Sequence, residues 1–431
     1  MFGLLRRRNL RETAGLPVED EYSHNLRAKA IVTYNIAPMP KQTEQLARGV
    51  NAVRCALADW AAQTLLSKPC PWPKEAETAG LQAVSVFFSN EGIGPLCHYA
   101  LQTAGAQDAV PKDVWDLLRQ ASHAAAALEL IRSHQDAQVL QCLGEIGLRP
   151  LVLKGAAYAR TVYPQAYLRP RFDTDLLFAD KASAEKAWRR LEQEGYTLIP
   201  NVVEGRFVSR QRTCVKPTYG GHALDIHWAI SNTHTFVRAL PYEELIQDAV
   251  PLPTVHEQAR TLGAVHSLLF ACFHLFGHVQ IERKSQLLWL YDIRLLTEQL
   301  SDSDWRAFSQ KAITKGIAGI CRNALDLVNE QFPTPMPAST RSDLRQAESQ
   351  EAFRPDRLKT AFLYHLHDLK ALDHWRDRLQ CIGETLFPSP AYMRSKYERT
   401  SSAWLPLLYL HRAATGVADR LGWNARPNRH R

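Results

Sequence analysis

The chain has 431 residues, 45% of them hydrophobic and 22% charged, and carries a net charge of +8. That composition supplies a large core for two or three domains and excludes a chain that is disordered beyond its ends. Eight cysteines without any C-x-x-C spacing exclude a disulfide framework and read as reduced thiols.

Residues 1–41 read as a partly irregular tail that opens with Arg6-Arg7-Arg8. From 42 to 147 the apolar spacing is helical, as in Val114-Trp-Asp-Leu-Leu-Arg and in the Ala-rich stretch from Ala121 to Leu140, and predicts an α-helical domain. From 148 to 253 short apolar runs alternate with helical patterns. Strands are expected at Leu151 to Leu153, Thr174 to Phe178, Tyr196 to Ile199, Arg212 to Lys216 and Ala223 to Ile230, with Thr218-Tyr-Gly-Gly as a hairpin signal between the last two. From 254 to 431 the pattern is helical again, with prolines at 333, 335 and 337 marking a linker and Trp404 to Leu421 reading as a closing helix. The fold class is therefore α+β, a small mixed-sheet core flanked by N- and C-terminal helical domains.

Chemistry concentrates in the middle segment. In a strand, residues i and i+2 share a face, so Asp173 and Asp175 are expected together, with Phe172, Thr174 and Leu176 turned to the core. On a later strand Asp225 and His227 share one face, and Leu224, Ile226 and Trp228 the other. If the two strands pair, three carboxylates converge. Such a cluster repels itself unless a cation sits within it, and an oxygen-only set suits Mg²⁺. It fits in-line displacement at phosphorus, with metals about 4 Å apart steadying the attacking and leaving oxygens. Asp173 and Asp175 would bridge the metals, and Asp225 would hold one of them and orient the acceptor hydroxyl. Upstream, the run Leu151 to Leu153 ends at Lys154-Gly155-Ala156-Ala157, a strand turning into a helix. A glycine there admits a phosphate to backbone N–H groups at a helix N-terminus, and Lys154, Arg169 and Arg171 are expected to neutralise it.

These three pieces, Leu-Lys-Gly, Arg-Pro-Arg-Phe-Asp-Thr-Asp and Asp-Ile-His-Trp in that order, resemble the uncharacterised nucleotidyltransferase family of the DNA-polymerase-β-like superfamily. The resemblance implies transfer of a nucleoside monophosphate from an NTP, with ATP as the expected donor, to a hydroxyl on a small molecule, sugar or protein, and release of pyrophosphate. Gly155 matches the superfamily's first turn glycine, Asp173 and Asp175 its paired acids, and Asp225 its third acid. Ala156 departs from the serine found in the wider superfamily. More loosely, the segment from His266 to Leu296 resembles the family's helical follow-on, and Leu386 to Arg394 resembles a C-terminal stretch common in the same proteins.

His274 and His278 stand four apart on an expected helix, a spacing that can hold zinc from one face, with Asp292 as a conceivable third ligand. The helix is otherwise apolar and no H-E-x-x-H occurs, so packed histidines are the simpler reading, with the lining of an acceptor pocket as the functional alternative. No G-x-x-x-x-G-K-[ST] or G-x-S-x-G is present. The basic termini are short and lack interleaved aromatic residues, which favours an anionic nucleotide over a polynucleotide partner. The longest apolar stretch, Leu262 to Phe276, is shorter than the ~20 residues of a membrane span, and the expected location is the cytoplasm. Two other classes remain open at this point: a catalytically weak nucleotide-binding scaffold, for which Ala156 speaks, and a protein adenylyltransferase of toxin-antitoxin type.

Overall fold

The computed structural model describes residues 41–68, 70–200, 205–218, 221–279, 286–351, 353, 361–397 and 404–420. Four helices come first: α1 (Lys41–Leu65), α2 (Lys74–Glu91), α3 (Gly94–Thr103) and the 34-residue α4 (Lys112–Glu145). At ~1.5 Å per residue, α4 is about 50 Å long. The left-handed backbone of Gly147 stops it, and the chain turns into β1 (Leu151–Leu153).

The central segment alternates as its sequence predicts. After β1 come α5 (Lys154–Thr161), β2 (Thr174–Leu177), α6 (Lys181–Gln193), β3 (Thr197–Leu198), β4 (Gln211–Lys216) and β5 (His222–His227). The Asp180 side chain caps α6 by accepting from the Ser183 N–H at 2.7 Å. Helix α7 (Tyr242–Gln247) and the short strands β6 (Val250–Pro251) and β7 (Arg260–Thr261) complete the sheet, which therefore reaches past residue 253. Its order is β3-β4-β5-β2-β1-β7-β6. Strand β2 lies parallel to β5 and antiparallel to β1, and β4–β5 is the expected antiparallel pair. The tip of that hairpin, Thr218-Tyr-Gly-Gly, lies partly outside the described residues.

Helices α8 (Ala264–Gly277), α9 (Leu287–Glu298), α10 (Asp302–Thr314), α11 (Ala318–Gln331) and α12 (Ala338–Glu348) pack after the sheet, with the proline-marked linker between α11 and α12. The last helices are α13 (Ala361–Lys370), α14 (Trp375–Leu386), α15 (Pro390–Lys396) and α16 (Leu405–Arg420). One apolar cluster runs from Leu57 through the sheet to Phe353, so the N-terminal helices, the sheet and α8 to α12 share a single core. Strands β1 and β2 are buried at every position, which makes the two carboxylate-bearing strands β2 and β5 inner members of the sheet. Among the described residues, no helix is long and apolar enough to cross a membrane.

Candidate active site

The parallel register of β2 and β5 sets Asp175 directly opposite Asp225, and Leu177 opposite His227. Ligand atoms of Asp175, Asp225 and His227 lie within 4.8 Å of one another. Asp173, half-buried just before β2, is close enough for its charge to act on both Lys154 and Asp225. The antiparallel pairing of β1 brings Leu153 opposite Asp175, so the next residue, Lys154, arrives at the same end of the sheet. Its Nζ donates to Asp175 Oδ1 at 2.6 Å, and His227 Nε2 donates to the same oxygen at 2.9 Å. Thr213, opposite Asp225 on β4, donates its hydroxyl to Asp225 Oδ1 at 2.6 Å.

Charge is unevenly compensated in this cluster. Burial alone would raise the Asp175 carboxyl, but Lys154 and His227 outweigh it and hold Asp175 well below the usual carboxylate range. Burial would likewise lower Lys154, and the pull of Asp175, Asp225 and Asp173 keeps it above its ordinary value. Asp225 moves the other way: burial raises it first, and the charges of Asp173 and Asp175 raise it further. Three carboxylates therefore face one ammonium. The site has room in its charge balance for a cation, and its carboxylate oxygens suit a hard one.

Several expected contributors take other positions. Phe172 does not face the core; it is 55% exposed beside the acids. Thr174 is buried, but its hydroxyl donates to Asp136 Oδ1 on α4 at 2.7 Å instead of facing apolar neighbours. The left-handed residue of the turn is Lys154, with φ of 48°, and not Gly155. Gly155 is needed for a different reason, because a Cβ there would stand 2.5 Å from Arg169 Nη1 and 3.3 Å from Arg171 Cβ. Ala156 is buried in the core, so its missing hydroxyl faces apolar packing.

Arg169 and Arg171, expected to neutralise phosphate, have carboxylate partners inside the protein. Arg169 binds Asp292 through Nε at 3.2 Å and Nη2 at 2.7 Å, and Asp292 also accepts from the Tyr163 hydroxyl at 2.7 Å. Arg171 pairs with Glu129 at 2.9 Å and with Asp136 at 2.7 Å. Both guanidiniums are buried, and such pairs orient backbone. Asp292 is thereby the shared acceptor of Arg169 and Tyr163. His274 and His278 contact each other, Nε2 to Nε2, at 3.1 Å, and both rings lie against Trp289. Burial first, then Lys154 and His278, hold His274 well below its ordinary pKa, so it is neutral and close to the acid cluster.

The residues missed by sequence reasoning sit on α4. Glu129, Arg132 and Asp136 are buried on one face of an Ala-rich helix, and their i, i+3, i+7 spacing is the signal that marks them. Arg132 donates to the Arg171 carbonyl, and Asp136 also accepts from His222 Nε2 at 3.0 Å, while His222 Nδ1 accepts from the Tyr196 hydroxyl at 2.6 Å. Helix α4 thus holds the Arg171 carbonyl and the Thr174 hydroxyl, on either side of Asp173.

Residues 83–333, more than half of the chain, match the sequence profile of an uncharacterised nucleotidyltransferase family. The chain belongs to that family. The match spans α4, all seven strands and the histidine-bearing α8, so the nucleotidyltransferase assignment covers the acid cluster and its braces together. A comparison of this nucleotidyltransferase with curated proteins finds no match.

Proposed function

We propose that this nucleotidyltransferase uses Mg²⁺ to move AMP from ATP onto a hydroxyl acceptor, releasing pyrophosphate. The observation that supports this most is the excess of carboxylate over ammonium where β2 and β5 meet. Asp173, Asp175 and Asp225 would hold the ion, which when bound supplies positive charge to the phosphoryl oxygens. His227 fixes the rotamer of Asp175. Thr213 fixes one oxygen of Asp225.

Asp225 is the group suited to the acceptor. Burial and the neighbouring acids make its carboxylate more basic than an ordinary aspartate, which favours taking the proton of an attacking hydroxyl. Lys154, at the start of α5, can pair with donor phosphate once its contact with Asp175 is exchanged. The first N–H groups of α5 have no intrahelical acceptor and add to that pull.

The test is transfer of α-labelled nucleotide. Purified protein and the Asp173→Ala/Asp175→Ala double variant are incubated with Mg²⁺ and each α-labelled NTP in host lysate, and label is followed into protein and small-molecule fractions. Transfer from ATP that the double variant abolishes supports the reading, and the labelled fraction identifies the acceptor class. Absence of transfer from every NTP would sink it.

A further inference from the structure

Eight of the fourteen large apolar side chains that are exposed among the described residues fall between Leu366 and Leu410. They follow helical spacing. On α14, Trp375, Leu379 and Ile382 stand at i, i+4 and i+7 and are 65%, 57% and 39% exposed. Trp404, Leu407 and Leu410 repeat at intervals of three at the start of α16 and are 48%, 58% and 67% exposed. The two helices are tied to each other. Tyr409 donates its hydroxyl to the Pro388 carbonyl at 2.7 Å, Arg412 donates to the Thr385 carbonyl at 3.0 Å, and the Phe387 and Tyr409 rings lie 6.0 Å apart. An apolar face of this kind, kept in water, is a cost that a partner removes.

The same region is basic. Residues 361–431 hold eleven Lys and Arg against six Asp and Glu, and the described residues among them hold seven against five, a net of +2. Exposed Arg376 stands beside Trp375, 5.6 Å from its ring, and exposed Lys396 lies over Tyr392 and Tyr397. The region is also fastened to the catalytic body. Glu384 of α14 accepts from the Arg206 and Phe207 backbone N–H groups at 3.0 and 2.9 Å, and Asp368 of α13 accepts from Thr235 N at 2.8 Å. It lies outside the part of the chain that matches the family.

We propose that α14 and α16 dock this nucleotidyltransferase on an anionic bilayer surface, with the two tryptophan-led stripes entering the headgroup boundary and the surrounding Arg and Lys meeting lipid phosphate. Tryptophan and leucine on one face with cations around them is the chemistry of an interfacial helix. A second copy of the chain would bring two positively charged regions together. A polynucleotide would satisfy the cations and leave the leucine and isoleucine side chains in water. An anionic bilayer satisfies both at once.

Co-sedimentation of the full chain with vesicles tests this, using phosphatidylcholine alone and phosphatidylcholine mixed in equal parts with phosphatidylglycerol. The expected result is about tenfold or more enrichment on the anionic vesicles. Leu379→Glu/Leu407→Glu should abolish it, and Arg376→Glu/Lys396→Glu should cut it severalfold and weaken its salt dependence. All four side chains are exposed, so circular dichroism and nucleotidyl transfer should stay at the parent level, which keeps this test separate from that of the active site. Failure of the parent protein to bind either vesicle would overturn the proposal. So would equal binding to both vesicles, or a dimer in light scattering that Leu379→Glu/Leu407→Glu dissolves without any vesicle binding.

Discussion

Lys154 occupies a place that the sequence alone could not reveal. A lysine at φ 48° bears the cost of the left-handed region, about 1 kcal/mol or more, and its ammonium sits 2.6 Å from Asp175. Strand period put Asp175 and Asp225 on charged faces that the pairing of β2 with β5 sets opposite each other, while Asp173 lies just before β2. The direction of the lysine depends on a backbone dihedral that no spacing encodes. An ammonium in contact with Asp175 competes with any cation that the acids hold. Lys154→Met should therefore lower the Mn²⁺ dissociation constant, read by electron paramagnetic resonance, by about tenfold or more, given that unit charges 4 Å apart interact by roughly 4 kcal/mol at a protein surface. Nucleotidyl transfer by the same variant should fall. An unchanged constant would mean that the ammonium and the cation occupy separate places. His227→Asn tests the opposite neighbour of Asp175: it removes a donor that orients the carboxylate, so Mn²⁺ affinity should weaken by about tenfold and kcat should fall by a similar factor while the melting temperature moves little. Loss confined to KM would point to substrate contact by His227 instead.

At the scale of elements, the site depends on a helix that sequence reading assigned to a separate N-terminal domain. Helix α4 lends Glu129 and Asp136 to Arg171, and Asp136 also holds Thr174, the residue between the two acids. The motif Arg-Pro-Arg-Phe-Asp-Thr-Asp shows where the charges are, but the partners of Arg171 and Thr174 lie 35 to 42 residues upstream, and long-range pairing of this kind leaves only a helical spacing of buried charge as its trace. Phe172 was misread for a related reason: it precedes β2, so strict alternation does not yet govern it. Asp136→Asn leaves Arg171 and His222 buried with weakened acceptors, a change that costs about 3 kcal/mol or more. The pH dependence has a definite sign. Burial would raise Asp136, yet Arg171 and His222 outweigh it and hold it at about 2, below its unfolded value of 3.8. Its stabilising contribution is therefore full above pH 4 and disappears as pH falls toward 2. Chemical denaturation of parent and variant at pH 7 and pH 3 should show the gap between them narrow at the lower pH, and a gap that stays constant would remove Asp136 from the brace.

At the scale of the whole molecule, alternation and helical periodicity conveyed the α+β class and the order of the main elements. Sheet order was not legible, because β3, β6 and β7 are two-residue strands whose places are set by what they pair with. The same compactness joins the acid cluster to global stability. Asp136, Asp175, Glu244 and Glu384 are all held below their ordinary values, each against the opposing effect of burial, by cationic or hydrogen-bonding partners on other elements. Each contributes stability that is present above its unfolded pKa and lost as pH falls through its folded one. Asp225 is raised, so its protonation relieves strain as pH falls and opposes that trend. These depressed carboxylates outnumber the raised one and predict a melting temperature that declines below about pH 4. Magnesium should sharpen the contrast. A divalent ion held, as proposed, by Asp173, Asp175 and Asp225 would stabilise only the folded state and would compete with the proton that the raised carboxylate of Asp225 takes up, so Mg²⁺ should raise the melting temperature at pH 7 and do so less as pH falls toward 4. Thermal melts across that range, with and without Mg²⁺, measure both effects together. In Asp173→Ala/Asp175→Ala the Mg²⁺ increment should be lost at every pH, and an increment that survives there would locate the ion elsewhere in the protein.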